Sequence, residues 1–146
     1  MKYNKAQKEI FEGIIRKYRV CGFFVDDEHF AVTANGYNAY VFPCCQIAFD
    51  IHKVKPYEDF LRIKEVFKEE NKLKDTKYFR SLQGGKRLAK VFEGKNGKVF
   101  VDQALLTCFD NANYYQDKAN STILVEEFGE IVGCVLPMRI ADEEKE

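Results

Sequence analysis

The sequence predicts an α+β fold with an antiparallel sheet and two or three amphipathic helices. Apolar residues recur at helical spacing near the N-terminus, between residues 4 and 18. Several β-rich runs are joined by the dipeptides Asn35-Gly36 and Asn96-Gly97, which are strong hairpin signals. The chain length of 146 residues suits a single domain. We assign residues 1–140 to this domain and expect the acidic residues 141–146 to form a disordered tail.

The N-terminal part is predicted to be one helix followed by three strands. In the helix, over residues 4–18, the apolar side chains form one stripe: Ala6, Ile10, Phe11, Ile14, Ile15 and Tyr18. The β-rich runs 20–25, 30–34 and 37–42 are the three strands, and Asn35-Gly36 turns the second into the third. Pro43 ends the last of them.

The middle of the chain is predicted to hold a second amphipathic helix and a further strand. Pro56 suits a first helical position, and the helix is expected to run to about Asn71. The polar residues 72–77 are expected to be a loop, and Gly84-Gly85 a break. A strand over residues 87–93 then reaches the turn at Asn96-Gly97.

The last third of the chain reads as strand, helix, strand, tight turn and strand. Residues 99–101 form a short apolar run before Asp102, which suits a helix N-cap. Helical spacing follows in four apolar side chains: Leu105, Leu106, Phe109 and Ala112. Two β-rich runs, 122–127 and 131–136, lie on either side of a turn at residues 128–130.

Composition limits the classes of function. Lys and Arg total 23, as do Asp and Glu, which argues against a general nucleic-acid coat protein with its large cationic excess. Charged residues interrupt the N-terminus, and no apolar run approaches the roughly 20 residues of a membrane span. We therefore expect a cytoplasmic protein with no membrane partner. The five cysteines are expected to be reduced thiols, and no cofactor is expected.

Candidate chemical sites are few. Cys44, Cys45 and His52 indicate an alternative function, a ligand-binding protein or enzyme with a cleft there. Adjacent cysteines on a strand point to opposite faces, so we expect no metal site. The run Gly84-Gly85-Lys86-Arg87 is either a phosphate loop or, more simply, a basic turn. Tyr114 and Tyr115 either stack on a partner or pack against the sheet, and the scarcity of histidines favours a non-enzymatic protein.

The order of elements, with the ending Val-Leu-Pro-Met-Arg-Ile at residues 135–140, resembles the closing half-domain of a bacterial DNA sliding clamp, the DNA polymerase III beta subunit. The resemblance covers the first helix, the hairpin 30–42 and residues 99–140, whereas residues 50–86 do not match. It implies a domain of two α/β halves. The implied function is a non-enzymatic clamp-like module for DNA replication or partner binding, in a phage or mobile element.

The same resemblance implies two sets of site residues. In the clamp family, basic helix faces meet the DNA backbone, and the matching residues of the first helix are Lys5, Lys8, Arg16 and Lys17. An ordinary solvated face is the alternative, because Glu9 and Glu12 are interspersed. The family's C-terminal segment forms a pocket for partner peptides, and the matching residues are Pro137, Met138, Arg139 and Ile140. A plain edge strand is the alternative there, and a single domain needs self-association to close a ring.

Overall fold

The computed structural model describes residues 1–140 and shows an α+β fold, as the sequence predicts. The predicted tail, residues 141–146, lies outside the described residues. Within residues 1–140 there are two α-helices, α1 (Tyr3–Ile15) and α2 (Ile63–Val66). The ten strands are β1 (Cys21–Phe24), β2 (His29–Thr33), β3 (Asn38–Pro43), β4 (Lys55–Pro56), β5 (Lys74–Leu82), β6 (Arg87–Gly94), β7 (Gly97–Asp102), β8 (Asn113–Tyr115), β9 (Ile123–Glu127) and β10 (Glu130–Val135).

Seven strands form the larger sheet, in the order β4-β1-β2-β3-β10-β9-β8. All neighbours are antiparallel except β1 and β4, which run parallel. The pairing of β3 with β10 joins the N-terminal and C-terminal parts of the chain at the centre of the sheet, with Ala39 opposite Cys134. The smaller sheet has three antiparallel strands in the order β5-β6-β7.

The main core lies between α1, one face of the larger sheet and the smaller sheet. Phe42 of β3, Phe92 of β6 and Val101 of β7 are fully or almost fully buried in this one cluster. The helix contributes Ala6 and Ile10. It also contributes Gly13, where an added Cβ would lie only 2.9 Å from the Cβ of Ala34, so the glycine allows the helix to approach the sheet closely.

Two smaller clusters cover the remaining sheet faces. The segment around α2 lays Leu61 and Val66 on the other face of the larger sheet, near Leu124. The C-terminal segment lays Ile140 on the outer face of the smaller sheet, near Phe100. Apolar surface is thus buried on both faces of both sheets.

The second predicted helix is largely wrong. Only Ile63–Val66 of residues 56–71 is α-helical. The Asp59 side chain accepts hydrogen bonds from the backbone N–H groups of Leu61 and Arg62, a local alternative to helical bonding. Arg62 then adopts a left-handed conformation with a φ of 51°, which a helix interior excludes. The predicted loop at residues 72–77 is also wrong, because β5 begins at Lys74.

The predicted helix after Asp102 is wrong as well. Asp102 does cap a turn, accepting a hydrogen bond from the Ala104 N–H at 3.0 Å, but the turn is a short 3₁₀-helix, Gln103–Leu106. Leu106 and Phe109 are buried without helical geometry, so their spacing reflects core packing. The clamp resemblance implies a second DNA-facing helix here. Residues 1–140 therefore confirm no sliding-clamp fold, and the resemblance stays a prediction.

The hairpin predictions are confirmed. Gly36 and Gly97 have φ values of 77° and 93°, the left-handed region that favours glycine in tight turns. Gly84 and Gly85 form the turn between β5 and β6. No helix within residues 1–140 has the length and apolar character needed to cross a membrane.

Candidate functional site

The predicted DNA-facing residues lie at the outer side of α1 and just beyond it. Lys5, Lys8, Arg16 and Lys17 are all exposed. Only the first two are inside the helix, because Arg16 is its C-cap and Lys17 follows with a φ of 60°. The predicted apolar stripe is only partly a core face, since Phe11 and Ile15 are 52% and 61% exposed. The outer side of α1 therefore mixes cations, carboxylates and apolar side chains.

The predicted partner-binding residues fold back onto the smaller sheet. The Met138 N–H donates to the Phe100 carbonyl oxygen at 2.7 Å. Ile140 is 8% exposed and packs in the cluster on the outer face of this sheet. Pro137 and Arg139 stand beside them, and all four residues line a cavity of about 560 Å³.

The residues of the alternative site do not form a cleft. Cys44 is half-buried, while Cys45 and His52 are exposed in neighbouring short turns. Burial, together with the nearby charges of Asp26 and Glu28, raises the pKa of the Cys44 thiol, which lowers its nucleophilicity at neutral pH. Within residues 1–140 no group of three metal-ligating side chains is brought together.

A cavity that the sequence reasoning missed lies on the face of the larger sheet next to α2. Its volume is about 540 Å³, and its floor includes small side chains from adjacent strands: Cys21, Thr33, Ala39 and Cys134. Small residues in register across a sheet leave a trough, which only the folded pairing reveals. The Thr33 hydroxyl is already engaged with the Asn38 carbonyl oxygen and the Gly36 N–H, so it offers little to a ligand.

The smaller sheet carries a strong concentration of positive charge. Nine of the 23 Lys and Arg residues lie in residues 72–98, against two of the 23 Asp and Glu residues. The cations are Lys72, Lys74, Lys77, Arg80, Lys86, Arg87, Lys90, Lys95 and Lys98, and the acids are Asp75 and Glu93. Within residues 1–140, only Lys77, Arg87, Lys90 and Lys95 of these cations have a carboxylate within 4.0 Å. The basic hairpin, defined as β5, β6 and their turn, therefore presents free cations.

A bulge in β5 turns side chains of the basic hairpin toward solvent. The pairing register with β6 shifts between Asp75 and Phe79, and Lys77 adopts a φ of 66°. The bulge is held by hydrogen bonds from the Lys77 N–H to Asp75 Oδ1 and from the Thr76 hydroxyl to the Val91 carbonyl oxygen, at 2.8 and 2.7 Å. As a result the Tyr78 side chain is 74% exposed.

Further apolar surface continues from the bulge along the hairpin. Phe79 lies opposite Lys90 and is 49% exposed, and Leu88 on the neighbouring strand is 45% exposed. Tyr78 and Phe79 therefore stand as exposed aromatic rings on an edge strand that also carries Lys74 and Lys77. The other predicted stacking pair, Tyr114 and Tyr115, is buried in the core, as the packing alternative held.

Comparison of the chain with known protein families, with characterised proteins and with solved structures finds no match. The function of the protein is therefore inferred from its own residues.

Proposed function

We propose that this protein is a non-enzymatic nucleic-acid-binding module that holds a single strand along the basic hairpin. One observation carries the proposal: the densest positive charge in the chain coincides with two exposed aromatic rings on one edge strand. Cations attract the phosphate backbone, and exposed rings stack on unpaired bases. A duplex hides the faces of its bases, so the rings favour a single strand.

The basic side of α1, which the clamp resemblance implies as the DNA-facing surface, is the rival interface for the same partner. Its cations are fewer, and Glu9 and Glu12 lie among them. Its exposed ring, Phe11, has Glu12 as its immediate neighbour in sequence. A role in DNA replication and self-association into a ring belong to this rival, and its apolar Phe11 and Ile15 supply a surface on which copies would meet.

Two matched triple variants distinguish the interfaces. One replaces Lys74, Lys77 and Lys86 of the basic hairpin with Gln, and the other replaces Lys5, Lys8 and Lys17 with Gln. Both remove three exposed cations from surface positions, so both proteins are expected to fold. Affinity for a fluorescently labelled oligothymidine is measured by anisotropy over a series of salt concentrations, with a duplex of the same length for comparison.

We expect the hairpin variant to lose about tenfold or more in affinity, and its slope of log K against log salt to fall by about 2, near 0.7 per lost phosphate contact on a single strand. The α1 variant should bind like the unmodified protein. Tyr78→Ala should weaken binding with little change in the salt slope, because stacking releases no counterions. Loss of binding only in the α1 variant would support the clamp-like alternative. Absence of binding by the unmodified protein at low salt would overturn the proposal.

A further inference from the structure

The cavity beside the C-terminal segment is a built site that the basic hairpin does not use. It lies at the other end of the smaller sheet, near the turn between β6 and β7, whereas the hairpin turn is at the beginning of β6. The eight residues of β6 separate the two ends by about 25 Å at the usual rise of a strand. The volume of about 560 Å³ is in the range of small-molecule sites.

A buried amide of Gln116 lines this cavity with an unused acceptor. Gln116 is 2% exposed, and its Nε2 donates to the Ser121 carbonyl oxygen at 3.0 Å. Its backbone N–H donates to the Asn71 carbonyl oxygen at 2.9 Å, so the residue is held firmly. Within residues 1–140, Gln116 Oε1 has no hydrogen-bond partner. A buried acceptor without a partner is costly, and a ligand N–H would remove that cost.

Two cations and an apolar wall complete the cavity. Lys98 and Arg139 line it, and within residues 1–140 neither has a carboxylate within 4.0 Å. Phe100 and Met138 supply apolar surface. The wall formed by the turn before β7 is tied to the loop after β8 by a hydrogen bond from Asn96 Nδ2 to the Asp117 carbonyl oxygen, at 3.3 Å.

We propose that this cavity binds a small anionic ligand with a flat apolar body and an N–H donor, the class of the nucleoside monophosphates. The base amine donates to Gln116 Oε1, the ring lies against the apolar wall, and the phosphate pairs with Lys98 and Arg139. The two other buried acceptors without partners, Asn71 Oδ1 and Gln103 Oε1, belong to residues that do not line this cavity. The proposal does not depend on single-strand binding by the basic hairpin.

The test uses the full chain and three ligands in calorimetric titrations. Adenosine monophosphate carries both recognition groups, adenosine lacks the phosphate, and purine riboside monophosphate lacks the exocyclic amine. We expect adenosine monophosphate to bind, and each of the other two to bind at least about tenfold more weakly.

Two variants assign the contacts. Arg139→Gln, an exposed position, should weaken adenosine monophosphate by about tenfold and leave adenosine unchanged. Gln116→Met should remove the difference between adenosine monophosphate and purine riboside monophosphate, once its thermal unfolding shows an intact fold. Lys118→Gln is the matched control, because Lys118 is exposed in the same loop and does not line the cavity. The hairpin triple variant should bind adenosine monophosphate normally.

Absence of adenosine monophosphate binding at millimolar concentration would overturn the proposal. So would binding that Arg139→Gln and Lys118→Gln weaken equally, which would indicate general attraction to positive charge.

Discussion

At the scale of single residues, Asp75 has two opposing roles in the basic hairpin. Its Oδ1 accepts the Lys77 N–H and so shapes the bulge, while its Oδ2 pairs with Lys90 Nζ at 3.0 Å. Burial by itself would raise the pKa of this carboxyl, but the Lys77 N–H and the Lys90 ammonium outweigh burial and lower it. The carboxylate therefore stays ionised at neutral pH and cancels part of the charge that a phosphate would meet.

Asp75→Asn should raise the affinity for oligothymidine several-fold. Asn keeps the acceptor for the Lys77 N–H but frees two lysines, so the salt slope should steepen by up to about 0.7 for each new phosphate contact. Anisotropy titrations measure both quantities. Asp117→Asn is the control, since that carboxylate pairs with Lys95 at the other end of the smaller sheet. An unchanged affinity would mean that the bulge does not meet the phosphates.

The same substitution has a defined pH dependence. Because the folded-state pKa of Asp75 is lowered, the ionised carboxylate stabilises the fold above its ordinary pKa, and this contribution is lost as the pH falls through the lowered value. The difference in the free energy of unfolding between the unmodified protein and Asp75→Asn should therefore shrink in acid. Urea unfolding at neutral and acidic pH measures this difference.

At the scale of elements, the close pairing of β10 with β3 depends on Gly133. An added Cβ there would overlap the Ala39 carbonyl oxygen and would lie 2.9 Å from the Phe109 ring. Backbone atoms of a central strand cannot move aside easily, and Phe109 is part of the main core. The sheet therefore requires the absence of a side chain at this position.

Gly133→Ala should reduce the free energy of unfolding by about 1–3 kcal/mol, the usual cost of overfilling a packed interior. Gly36→Ala is a matched comparison, because Gly36 has a positive φ but nothing within 4 Å of an added Cβ. Its loss should be smaller, about 1 kcal/mol from backbone strain alone. Urea unfolding compares the two, and equal losses would show that β10 shifts to accept the methyl group.

The elements that the sequence predicted well are those fixed by local chemistry. A glycine after Asn35 or Asn96 allows a positive φ whatever surrounds it, so both hairpins could be located. Apolar spacing was less reliable, because Val66 and Leu106 are buried by the sheets and not by a helix of their own. The basic hairpin was missed at its beginning, since polar residues in an edge strand resemble a loop. Its signal, nine cations against two acids in residues 72–98, was present in the sequence.

At the scale of the whole molecule, a formal net charge of zero conceals a strong segregation of charge. Outside residues 72–98 the chain has more Asp and Glu than Lys and Arg, 21 against 14. A polyanion is therefore attracted to one part of the surface and repelled by the rest, which orients it as it approaches. The zero net charge argues against coating of a nucleic acid along its length, and it is compatible with one localised contact.

Two buried thiols report whether residues 1–140 unfold as one unit. Cys108 lies in the main core, and Cys134 lies in the cluster on the opposite face of the larger sheet. Burial raises the pKa of Cys134 to about 12 and also raises that of Cys108, so neither is a ready thiolate in the folded protein. Cys45 is exposed and serves as the internal control.

Brief alkylation with iodoacetamide over a urea series, with each cysteine peptide quantified by mass spectrometry, should show Cys45 modified at every concentration. Cys108 and Cys134 should become reactive together, at one urea midpoint, because β3 and β10 contribute side chains to both clusters. Tyr40 and Ala39, neighbours on β3, face opposite clusters, so neither layer is expected to separate while the strand stays paired. Two distinct midpoints would contradict the single-domain prediction for residues 1–140 and would show that one face of the larger sheet opens before the other.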